Sequence, residues 1–177
     1  MRKNILIVGI ILMLIASLFV LTGCEKNKEI VLKDNKTGYT TTFKYPESQN
    51  FNIVDEDQES GTFVEMTIEN QEKNIELEMY YFEESDSSYE LSKEGRKDAD
   101  GYKEYKWNNY EGYIYSVDNN SLYFNVLLHK ETSEDDMDIG LFGSLTSINY
   151  DESNVPETFD SKDFQDFMNS MEFKIEK

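Results

Sequence analysis

Trp107-Asn108-Asn109-Tyr110-Glu111-Gly112-Tyr113-Ile114-Tyr115-Ser116-Val117-Asp118-Asn119-Asn120-Ser121-Leu122-Tyr123-Phe124-Asn125-Val126 sets two Asn-Asn pairs between runs of aromatic and β-branched residues. Asn tolerates positive φ, so each pair suits a two-residue hairpin turn. Such turns predict that Trp107 pairs with Tyr110 and Asp118 with Ser121. Counting onward, Val117 faces Leu122, Tyr115 faces Phe124, and Tyr113 faces Val126. These six residues then share one face of a three-stranded meander, and a one-residue slip in either register would scatter them.

Working outward, period-two alternation recurs, as expected of half-buried strands. Tyr39, Thr41, Phe43 and Tyr45 share a face that ends at Pro46, and Phe51 to Val54 is a short strand. Val64, Met66 and Ile68 alternate with Glu65, Thr67 and Glu69. Ile75, Leu77, Met79 and Tyr81 alternate with Glu76, Glu78 and Tyr80, and residues 70–74 connect these two strands as a hairpin. Tyr89 to Ala99 reads as a short helix closed by Asp100-Gly101, although Gly95 costs it about 1 kcal/mol of propensity. Phe164, Phe167, Met168 and Met171 recur at helical spacing behind Asp160 or Ser161 as N-cap, and Phe173 and Ile175 alternate as a final strand. Residues 139–150 show no clean period, with a further strand over Leu145 to Tyr150 the best reading. The fold class is a single α+β domain over 37–177: a mostly antiparallel twisted sheet packed by one or two helices.

The N-terminus has different physics. Met1-Arg2-Lys3-Asn4 precedes an uncharged apolar run, Ile5 to Val20, followed by Leu21-Thr22-Gly23-Cys24. A basic start, an apolar stretch and small residues before a cut form an export signal. The tetrapeptide resembles the lipobox of bacterial lipoproteins. That resemblance implies a signal peptide over 1–23, acylation of Cys24, and a short tether over 24–36, with Ile30-Val31-Leu32 as a first edge strand. An uncleaved membrane helix over Ile5 to Gly23 is the alternative, at close to the length a bilayer needs. Both place Arg2 and Lys3 inside and the domain outside, against the cell membrane. Cys24 is the only cysteine, so no internal disulfide is available.

The formal charge is −19, and cleavage would remove Arg2 and Lys3 but no acid. Such a chain repels nucleic acid and anionic headgroups. Asp55 to Gly61 begins like a calcium loop but has Ser60 where an EF-hand needs glycine and Met66 where it needs glutamate. Glu131, Glu134, Asp135, Asp136 and Asp138 form the densest acidic patch, read as a solvated loop with weak divalent-cation binding as the sharper alternative. His129, the only histidine, lacks the motifs of a triad, a zinc cluster or a phosphate loop. No enzyme, metal or cofactor is therefore expected. The meander register puts Trp107, Tyr110 and His129 side by side on the face opposite Val117 and Phe124, flanked by Tyr105, Tyr123 and Leu127. Such a row stacks sugars or binds peptide if open, and becomes a second core if helices cover it.

An early strand ending in Tyr45-Pro46, a run of hairpins, a mid-chain helix, the strand Tyr110-Glu111-Gly112-Tyr113 and a last helix ending in Asn169-Ser170-Met171-Glu172-Phe173 together resemble the Mog/PsbP-like α/β/α sandwich. The resemblance covers roughly residues 37–175. Members of that group include a binder of a small GTPase and an accessory subunit of the photosynthetic water-splitting complex, so it implies a binding or assembly module. The expectation is a non-enzymatic, lipid-anchored envelope protein that binds another protein or a cell-wall component; the alternative is a small-ligand or divalent-cation binder using the aromatic face or the acidic loop.

Overall fold

The computed structural model describes residues 26–57, 65–84, 88–118, 120–130, 137–149 and 155–176. Within these, the alternating segments pair as strands β1 (Asn27–Asp34), β2 (Tyr39–Pro46), β3 (Asn52–Asp57), β4 (Glu65–Asn70), β5 (Ile75–Glu84), β6 (Lys103–Trp107), β7 (Tyr110–Asp118), β8 (Ser121–His129), β9 (Asp138–Ser147) and β10 (Glu172–Ile175). Helices are α1 (Ser88–Arg96), α2 (Val155–Asp160) and α3 (Lys162–Asn169). Seven strands form one antiparallel sheet in the order β3-β4-β5-β9-β8-β7-β6, and a smaller sheet has the order β1-β2-β10. The architecture is α+β and mostly antiparallel, as expected.

The small sheet packs on one face of the large one, here termed the inner face. Ile30, Leu32, Phe43 and Tyr45 meet Met66, Ile68, Leu77 and Met79 in a single apolar core. Tyr81 crosses it, its hydroxyl donating to the Leu32 carbonyl at 2.9 Å and lying 2.7 Å from Thr41 Oγ1. The apolar stripe of α3 closes the same face, with Phe167 stacked on Phe43 at 4.8 Å. Ser161 caps α3 by accepting from the Phe164 amide at 3.3 Å. On the outer face α1 lays Tyr89 against Tyr113, seeding a second cluster with Tyr115 and Leu127.

Three expectations change. The first edge strand expected at Ile30-Val31-Leu32 is longer than its apolar residues suggest: β1 pairs with β2 along its full eight residues and sends Ile30 and Leu32 into the core, so residues 27–34 of the stretch read as tether are part of the fold. The meander turns are correct: Trp107 pairs with Tyr110, with Asn108 at φ 50°, and Asp118 pairs with Ser121. However, β7 carries a bulge between Ser116 and Asp118, so Leu122 pairs with Ser116, Phe124 with Ile114, and Val126 with Gly112. A bulge adds one residue to one strand and changes the phase of every pair beyond it. The expected six-residue apolar surface is therefore split between the two faces. Finally, residues 138–147 form β9, a central strand between β5 and β8.

β9 shows no alternation because it is buried on both faces, and its two glycines are sites of close approach rather than breaks. A Cβ at Gly140 would lie 1.9 Å from Phe82 Cζ, and one at Gly143 would lie 2.1 Å from Phe124 Cζ. Gly143→Ala is expected to lower stability by about 1–3 kcal/mol through overpacking. Gly95→Ala, where a Cβ meets nothing within 4 Å, should raise it by about 0.5–1 kcal/mol. Urea midpoints of the two variants, moving in opposite directions, check the assignment.

Candidate functional site

The row expected to bind a ligand is not open. Trp107 is 1% exposed, with its indole N–H donating to Gln165 Oε1 at 2.9 Å. Tyr105 stacks on it at 5.2 Å and Phe159 of α2 meets it edge-on at 6.2 Å. Tyr110 is half-buried, and its hydroxyl accepts from the Phe173 amide at 2.9 Å. His129 does not stand beside them. Leu127 pairs with Glu111, which brings Tyr110 level with Leu128, and a second bulge pairs half-buried His129 with Ile139. Tyr105 stays with Trp107, whereas Tyr123 and Leu127 lie on the outer face. Trp107 belongs to the main core together with Phe124, under α2 and α3, and not to a second core on the opposite face.

The bulge in β7 assembles a different row on the outer face. Tyr80 of β5, Phe142 of β9, and Tyr123 of β8 follow one another at 4.9 and 5.8 Å, and Tyr115 and Tyr113 of β7 continue at 5.4 and 6.3 Å. Successive planes differ by only 20–38°. Each of the three inner rings, Phe142, Tyr123 and Tyr115, therefore has a ring neighbour on either side. This geometry does not suit sugar stacking, which needs a free ring face. α1 covers the β7 end, where the Arg96 guanidinium lies 4.7 Å from the Tyr115 ring centre as a cation–π pair. Tyr80, Phe142 and Tyr123 remain half-exposed.

Beside the row lies a set of carboxylates. Glu65 pairs with Tyr80, Glu78 with Thr67, and Glu69 lies directly opposite Glu76 on the same face. Like charges in direct opposition destabilise a sheet. Glu78 accepts from Ser144 Oγ at 3.1 Å and Glu69 from the Gln71 side-chain amide, both neutral donors. Partial burial, then Glu69 and Glu78, raises the Glu76 carboxyl above the usual range. Burial among the rings, then Glu78, raises the Tyr80 phenol. Tyr80 was legible as outward-facing from its alternation in β5, but its partners needed the register of β9 and the bulge in β7.

The remaining sequence candidates fall elsewhere. Cys24 lies outside the described residues, as do residues 58–61 of the calcium-like loop and Glu131, Glu134, Asp135 and Asp136 of the acidic patch. Asp55 to Asp57 belong to strand β3, and Asp138 is buried at the start of β9. Among the described residues, no group of three or more His, Cys, Asp or Glu is arranged to hold a metal ion, and no helix is long and apolar enough to cross a membrane. Comparison of the chain with protein-family models, curated proteins and solved structures returns no match.

Two measurements follow. Trp107, the only tryptophan, should emit in the blue range of buried indoles and resist acrylamide, and water-like emission in the folded protein would contradict its burial. Glu76→Gln should raise the melting temperature at pH 7. The cost of ionising Glu76 in the fold is fully present above its raised folded pKa and disappears below its unfolded value. The gain should therefore fade on acidification through that window, and a gain independent of pH would exclude the electrostatic cause.

Proposed function

We propose that this chain is a lipid-anchored, extracytoplasmic envelope protein that works by binding a protein partner, not by catalysis. Two lines support the reading. Leu21-Thr22-Gly23-Cys24 at the end of an apolar run suits acylation of Cys24. The outer sheet face is the observation that carries the binding function: an aromatic row left half-exposed beside carboxylates that cost the fold stability. Sequences break local rules of stability chiefly where function requires it. Helices on both faces of an antiparallel sheet also favour a Mog/PsbP-like domain, a fold group of binding and assembly modules.

With strand β1 beginning at Asn27, acylation at Cys24 would hold the domain against the membrane, and its negative charge would keep its sides off anionic headgroups. The test has two parts. Cells expressing the full chain should incorporate labelled palmitate, and Cys24→Ser should abolish the label and release the protein from the membrane fraction. A photo-crosslinker at Phe142 should capture an envelope protein that one at exposed Leu91 does not. Unchanged labelling in Cys24→Ser removes the anchor, and identical capture from both positions removes the binding face.

A further inference from the structure

The cations of this chain are distributed unevenly. β3, β4, β5, β9, β8 and β7, six adjacent strands of the large sheet, contain no lysine or arginine. Several basic side chains pair with acids elsewhere: Lys28 with Glu47, Lys44 with Glu172, Lys93 with Glu104, and Lys103 with Asp160, while Lys73, in the turn between β4 and β5, pairs with Asp163 of α3. Glu69 and Glu76 oppose each other on the outer face, with Glu78 beside them at the foot of the aromatic row. At the row's other end, Arg96 from α1 shows how a cation is received here, its guanidinium over Tyr115.

We propose that the outer face of β4, β5 and β9 is the docking surface for a lysine- and arginine-rich segment of a partner protein. Its cationic heads would sit between Glu69, Glu76 and Glu78, with its aliphatic stems along the edges of Tyr80, Phe142 and Tyr123. Charge complementarity selects this occupant. A cation placed there relieves the Glu69–Glu76 repulsion that the fold leaves uncompensated, and the long stems of Lys and Arg cover apolar edges while their heads remain solvated. A glycan is disfavoured because the inner rings are flanked by rings on both sides, and a nucleic acid or anionic lipid because of the carboxylates. The proposal deepens the protein-binding reading above and depends on it only for biological context.

The probe is a fluorescently labelled decalysine peptide, titrated by anisotropy into the full chain held in neutral detergent at low and physiological salt. A strongly acidic protein attracts polycations everywhere, so the comparison is between variants with equal charge loss. Glu76→Gln/Glu78→Gln should weaken binding about five- to tenfold, as expected for two lost ion pairs. Glu29→Gln/Glu157→Gln, exposed acids on β1 and α2, should change it less than about twofold. Tyr80→Leu should weaken binding without altering its salt slope. Thermal melts monitor folding, and Glu76→Gln is expected to stabilise. Equal losses in the two double variants, or no measurable binding at low salt, would overturn the proposal. Site-selective binding that persists when Cys24 labelling fails would separate this surface from the anchor.

Discussion

In β7 the residue between Ser116 and Asp118 has no partner on β8, and beyond it the two strands are out of step with the turn that joins them. Everything distinctive about the large sheet depends on that phase change. It brings Phe124 to Ile114 and Val126 to Gly112 on the inner face, where Trp107, Phe159 and the small sheet complete the core. It also turns Tyr113 and Tyr115 outward to Tyr123, and the row continues through Phe142 to Tyr80. With strands of period two, a single inserted residue exchanges faces for all that follow.

The aromatic residues are used in two ways. On the inner face they lie at varied angles, from the 5° stack of Tyr105 on Trp107 to the 80° contact of Tyr45 with Phe51, as expected where side chains from two sheets and two helices interlock. On the outer face, neighbouring rings of the row from Tyr80 to Tyr113 differ in plane by no more than 38°, following the spacing of the strands that carry them. α1 seals one end and leaves the other half-exposed, so the same residue type serves as core at β7 and as surface at β5.

Among the described residues, two groups of acids stand in contrast. Those at sheet edges and turns are solvated or matched with lysine, and Asp55 and Glu56 beside the β3 bulge also discourage pairing with another chain's edge. Glu69 and Glu76 are matched with each other, which lowers stability, and the neutral donors around them relieve little of it. A surface that keeps such a pair while excluding lysine from six strands is organised around charge.

Much of this architecture is legible in the residues themselves. Alternation in β2, β4 and β5, the Asn-Asn turns and the stripe of α3 follow from local rules, because each such element has one wet and one dry face and its sequence records the difference. β9 has two dry faces, so its pattern is uniform and its glycines resemble breaks. β1 resembles a tether because a charged strand with two buried residues carries little signal until its partner is known. The bulge in β7 also leaves no trace, since Gly112 to Tyr115 are buried on both sides and either phase satisfies burial. The chain alone thus specified strands, turns, the α+β class and a candidate anchor at Cys24. Which aromatic residues stand together, and that Trp107 is core while Tyr80, Phe142 and Tyr123 face outward, was settled by tertiary packing, because register is a property of strand pairs and not of any one strand.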